Sequence, residues 1–182
     1  MKTLVFLAAA LTSLAVAQAQ NFTVTLDPAQ DGNSALLPGH GSGTLTLDTT
    51  LDTLTFNNIT FSGLSAPATA GHIHGPAPPG MTAGVLYTLG QAAGMGGFFT
   101  LGSTSGSING TLQLVTLGTL TVPTQISQLE NGLWYINIHD LPSFGGGEIR
   151  GQILPVPEPS ALPLLGIGVC GLWLLLRRRR SR

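Results

Sequence analysis

Between Asn21 and Leu154, apolar and polar residues alternate in short runs broken by glycine, asparagine or proline. That period of two fits strands with one face turned to a core. The runs predict strands over residues 22–26, 43–47, 53–61, 71–74, 85–89, 107–115, 133–139 and 148–154, with a hairpin turn over 48–52. Within 53–61 the apolar positions move from Leu54 and Phe56 to Ile59 and Phe61. A regular strand cannot change faces in this way, so a bulge is expected at Asn57-Asn58. One short helix is expected over 125–130, after Val122-Pro123-Thr124 and before Asn131-Gly132. The fold class is therefore all-β, an antiparallel sandwich or barrel of about eight short strands. A faint echo links Gly43-Thr44-Leu45-Thr46-Leu47 and Ile73-His74 to Gly110-Thr111-Leu112-Gln113-Leu114 and Ile138-His139. A single repeat pair falls short of a solenoid.

The two ends follow other patterns. Lys2, an apolar stretch over 4–16 and the small-x-small triplets Ala15-Val16-Ala17 and Ala17-Gln18-Ala19 make residues 1–19 a signal peptide, cut by signal peptidase near Ala17 or Ala19. Residues 155–182 form a tail in which Pro157-Glu158-Pro159 precedes an apolar run over 161–176 and the cluster Arg177, Arg178, Arg179 and Arg180. As a helix the run measures about 24 Å, a marginal span for a hydrocarbon core of ~30 Å. The positive-inside rule leaves the arginines cytoplasmic and residues 20–154 outside the inner membrane.

Charge and cysteine narrow the function of that middle domain. Seven acidic residues stand there against Arg150, a net charge of about −6, which disfavours binding to nucleic acid. The single cysteine, Cys170, lies in the apolar tail, so the domain has neither a disulfide nor a thiolate metal ligand.

Strand parity gathers the polar chemistry. His72 and His74 point one way and Ile73 the other; Tyr135, Asn137 and His139 oppose Trp134, Ile136 and Ile138; Glu148, Arg150 and Gln152 oppose Ile149 and Ile153. If these strands are neighbours, the polar groups share one face and form a hydrogen-bonded, ion-paired network including Glu148 and Arg150. Loops of unusual backbone geometry are expected at 140–147, through Gly145-Gly146-Gly147, and at 38–43. Metal binding is the alternative use of that face: His72, His74 and His139, with His40 as a fourth ligand, would suit copper or zinc. No nucleophile elbow, paired carboxylates or phosphate loop is present in the sequence, and no catalytic residues are assigned. The three Asn-x-Thr sequons carry no information beside bacterial export signals.

Two resemblances sharpen this reading. The Pro-Glu-Pro motif, apolar run and arginine cluster resemble the PEP-CTERM sorting signal of Gram-negative bacteria. That resemblance implies processing by exosortase, a membrane transpeptidase, and delivery to the cell surface or extracellular space, often beside extracellular polysaccharide. Gly71-His72-Ile73-His74-Gly75-Pro76-Ala77, together with Trp134 to Asp140 and Gly146 to Ile153, resembles the CHRD domain, which implies a β-rich fold with no established catalytic role. Asp140 departs from the threonine or serine more usual there. The His-x-His strand is also similar to that of copper/zinc superoxide dismutase, but the disulfide cysteines and zinc-bridging set of that family are missing. The expectation is an exported structural or binding module that is not an enzyme, with metal binding as the alternative and a superoxide-dismutase-like, copper-dependent oxidoreductase as the third reading.

Overall fold

A computed structural model describes residues 19–34, 36–89 and 99–157. All but the last residue of the predicted signal peptide 1–19, and the predicted membrane span at 161–176, lie outside the described residues, among which no helix is long and apolar enough to cross a membrane.

Among the described residues, nine strands form two antiparallel sheets. The first sheet contains β1 (Gln20–Leu26), β2 (His40–Asp48), β3 (Thr53–Ser62), β6 (Gly106–Gln113) and β9 (Leu154–Pro155), in the order β6-β3-β2-β1-β9. The second contains β4 (Ala70–His74), β5 (Val85–Leu89), β7 (Tyr135–Asp140) and β8 (Phe144–Gln152), in the order β5-β4-β7-β8. The all-β sandwich expected from the alternation is the fold.

Alternation places Phe22, Val24 and Leu26 of β1, Leu45 and Leu47 of β2, and Leu54 and Phe56 of β3 in the core. Ile73, Ile136, Ile138 and Ile149 meet them from the second sheet. Each such side chain contributes roughly 1.5–3 kcal/mol by leaving water. Trp134 is fully buried and its indole N–H donates to Gln128 Oε1 at 3.1 Å. Gly75 makes room for that ring, since a Cβ there would lie 2.6 Å from Trp134 Cδ1.

The expected bulge in β3 is present: the pairing with β6 shifts between Phe56 and Ile59, and Asn58 takes a φ of 51°. Four expectations need correction. The helix α1 runs Val122–Glu130, starting earlier than 125, because Pro123 is tolerated in a first turn and Thr121 caps it, accepting from Thr124 N–H at 3.4 Å. The predicted last strand is two: Gln152 pairs with Tyr135 in the second sheet and Leu154 with Thr23 in the first. Ile153 lies between them, buried, its N–H bonded to Trp134 O at 2.9 Å. The three glycines expected in a loop instead belong to β8, where the register against β7 shifts between Ile138 and Asp140. His40, expected in a loop over 38–43, opens β2 and pairs with Ser62.

Candidate metal centre

The outward face of the second sheet carries the site. Antiparallel register sets His72 opposite Asn137, His74 opposite Tyr135, and Ala70 opposite His139, while Asn137 and Tyr135 face Arg150 and Gln152 on β8. His72 and His139 are then diagonal neighbours on one face, about 7–8 Å apart at the backbone and within reach of aromatic side chains, and His74 follows two residues after His72 on the same face. One nitrogen from each ring lies within 4.8 Å of the others, and His72 Nδ1 is 2.9 Å from His139 Nε2.

Backbone carbonyls set the tautomers. His74 Nδ1 lies 3.0 Å from Ala83 O and His139 Nδ1 lies 3.1 Å from Gly145 O. A carbonyl only accepts, so each Nδ1 carries the proton and each Nε2 a lone pair. His139 Nε2 then accepts from His72 Nδ1–H. His74 Nε2 is buried with no partner among the described residues, a state that costs about 1–3 kcal/mol. Carbonyl-fixed rings with converging lone pairs match the outer-shell arrangement of metal-ligating histidines.

All three rings are held neutral. Burial lowers His72 to about 4, assisted by His139 and His74. His74 is lowered by burial, against the Ala83 carbonyl, with His139 and Arg150 adding to the downward shift. His139 is lowered by burial, against the Gly145 carbonyl and Asp140. Neutral imidazole is the ligating form.

Around the rings, Tyr135 stacks on His74 with centroids 4.9 Å apart and an interplanar angle of 6°. The Arg150 guanidinium sits 3.4 Å from the centroid of the same tyrosine ring. The Tyr135 hydroxyl accepts from Ala83 N–H at 3.0 Å, and Arg150 Nη2 donates to Gln152 Oε1 at 3.4 Å. Asn137 Nδ2 donates to Gly146 O at 3.0 Å and to Asp31 Oδ1 at 3.4 Å. Asp31 belongs to a 3-10 turn, Ala29–Asp31, and burial raises it to about 6, against Arg150 and the Asn137 bond.

Two residues part from the expected cluster. His40 lies on the first sheet, with Nδ1 2.8 Å from Pro38 O and Nε2 3.1 Å from Ser62 Oγ, and is not a fourth ligand to the three histidines. Glu148 accepts from Ser65 N–H at 2.8 Å and from Ser65 Oγ–H at 2.9 Å, beside Asp140, whose Oδ2 accepts from Ala66 N–H at 2.8 Å. The glycine-rich register shift separates it from Arg150, so the expected Glu148–Arg150 pair is replaced by a carboxyl pair. Burial raises Glu148, with the Ser65 N–H opposing and Asp140 adding. Strand parity points neither to Asp31, which comes from a turn, nor to the carbonyls of Ala83 and Gly145. The carbonyls belong to the backbone and have no residue-type signal.

Residues 22–153 match the CHRD domain. The chain belongs to the CHRD domain family. Residues 155–180 match the PEP-CTERM protein-sorting motif. No curated protein and no solved structure matches the chain. This CHRD protein is therefore an exported protein, sorted by exosortase to the cell surface or extracellular space. Of the sorting residues, Pro157 ends the described chain, while Glu158, Pro159 and Arg177 to Arg180 lie outside it.

Proposed function

We propose that the CHRD domain is a non-catalytic metal-binding module displayed at the cell surface, in which His72, His74 and His139 hold copper or zinc. The observation that carries this reading is the convergence of three imidazoles, each offering a nitrogen within 4.8 Å of the others, in a cluster where His74 Nε2 is buried without a hydrogen-bond partner. A purely structural network leaves that nitrogen unsatisfied; a metal ion satisfies it. Binding requires His72 to release Nδ1–H and carry its proton on Nε2, a tautomer change that the 2.9 Å contact with His139 makes necessary. Copper(II) and zinc both accept imidazole nitrogen.

What supports a reading without turnover is the way the neighbouring side chains are used. The Tyr135 hydroxyl is bonded to the Ala83 backbone, Asn137 Nδ2 to Gly146 O and Asp31 Oδ1, and Arg150 is placed against Tyr135 and Gln152. In delivery, signal peptidase frees residue 20, and the apolar run at 161–176 anchors the domain in the inner membrane until exosortase acts. Extracellular polysaccharide is the surrounding in which the module is displayed.

The test is the metal content of the exported protein beside a variant with His72, His74 and His139 changed to alanine. One copper or zinc per chain in the parent and none in the variant is expected. Equal content in both, or no metal after reconstitution of the parent, contradicts the proposal.

A further inference from the structure

We infer that Arg150 sets the charge state preferred by the histidine centre, biasing it toward copper(I) over copper(II) and zinc. This inference rests on the reading of His72, His74 and His139 as metal ligands. Arg150 is then a positioning residue that acts through Tyr135 and His74 and does not itself touch the metal.

The ligand atoms come from three uncharged rings, with no thiolate or carboxylate among them. The ion's own charge therefore meets no ligand charge. Behind His74 lies the Tyr135 ring, stacked at 4.9 Å, and against Tyr135 lies the Arg150 guanidinium, 3.4 Å from its centroid. Arg150 is 2 % exposed, which keeps solvent from screening it, and an arginine stays protonated. A fixed positive charge one aromatic ring from a ligand opposes each further unit of positive charge on the ion.

Other charged groups modulate this effect. Asp31 interacts with Arg150 and, at about 6, gains its charge only as neutrality is approached. Asp140 follows His139 in the chain, but an Ala66 N–H holds one of its oxygens and Glu148 lies beside it. Three imidazoles also suffice for copper(I), whereas zinc adds a fourth ligand such as water to a three-histidine set, since His40 is not positioned to supply it.

The experiment measures copper(I) affinity by competition with bathocuproine disulfonate under ascorbate without air, and copper(II) affinity by competition with nitrilotriacetate. It compares the full chain with Arg150→Gln, Arg150→Lys and Asp31→Asn. The expected result is a fall of about tenfold in the copper(I)-to-copper(II) affinity ratio in Arg150→Gln, equivalent to a potential lower by about 59 mV for one electron. Arg150→Lys, which keeps the charge, is expected to stay within about threefold of the parent, and Asp31→Asn, which removes the counter-charge, to raise the ratio. An unchanged ratio in a copper-binding Arg150→Gln protein overturns the inference while leaving the metal centre standing. If Arg150→Gln does not fold, Asp31→Asn decides, and an unchanged or lower ratio there overturns it. No copper bound by the parent chain overturns the metal centre itself, and the inference with it.

Discussion

On the first sheet the residues turned away from the core, among them Thr23, Thr44, Asn57 and Thr111, are exposed, whereas their counterparts Asn137, Arg150 and Gln152 on the second are buried. Both sheets follow the same alternation. The difference comes from the connections: the segment after β1 lies over the second sheet, where Asn33 Nδ2 donates to Gly147 O at 2.9 Å and to Glu148 O at 3.0 Å, and Gln30 Oε1 accepts from Gln152 N–H at 3.2 Å. A polar face in water is tolerant of substitution. A covered one must satisfy each group internally, so its composition is constrained and its unsatisfied atoms are informative.

The comparison is broken most severely at Gly147. Its φ is 123° and an added Cβ would overlap the Asn137 side chain, so Gly147→Ala should lower stability by about 3 kcal/mol or more in denaturant unfolding. Gln152→Ala comes next. It leaves the carbonyls of Ala77 and Gly132, now bonded at 2.9 and 2.6 Å, without their donor, at an expected cost of about 2 kcal/mol by the same measurement.

A smaller effect sharpens the comparison through pH. Groups whose protonation the fold opposes, as for His72, His74 and His139, contribute stability in full above the ordinary imidazole value of 6.5 and lose it as pH falls below that value, for His72 down to about 4. Asp31, raised to about 6, works in the opposite sense, its contribution being lost as pH rises through that value. The metal-free parent should therefore lose denaturant midpoint more steeply between pH 6.5 and 4 than a variant carrying glutamine at all three histidines; parallel curves would contradict this. Smallest of all, Thr44→Ala and Thr111→Ala on the open face should each change stability by no more than about 0.5 kcal/mol.

The same contrast explains what could be read from sequence. Alternation within a strand is local, so the core residues, the bulge at Asn57-Asn58 and the shared face of His72, His74 and His139 were legible. Assignment of a strand to a sheet is not local: His40 and Leu154 carry polar and apolar patterns that fit either sheet, and only long-range pairing places them in the first. The position of Glu148 depended on a register shift that glycines permit but do not announce. Asp31 reaches the site from a turn distant in sequence, held there by its bond to Asn137.

The most direct measurement of the central claim is X-ray absorption at the metal edge of the copper- or zinc-loaded protein. The account predicts a first shell with three imidazole nitrogens, lost when His72, His74 and His139 are replaced. A shell of oxygen ligands, or one unchanged by those replacements, would contradict it.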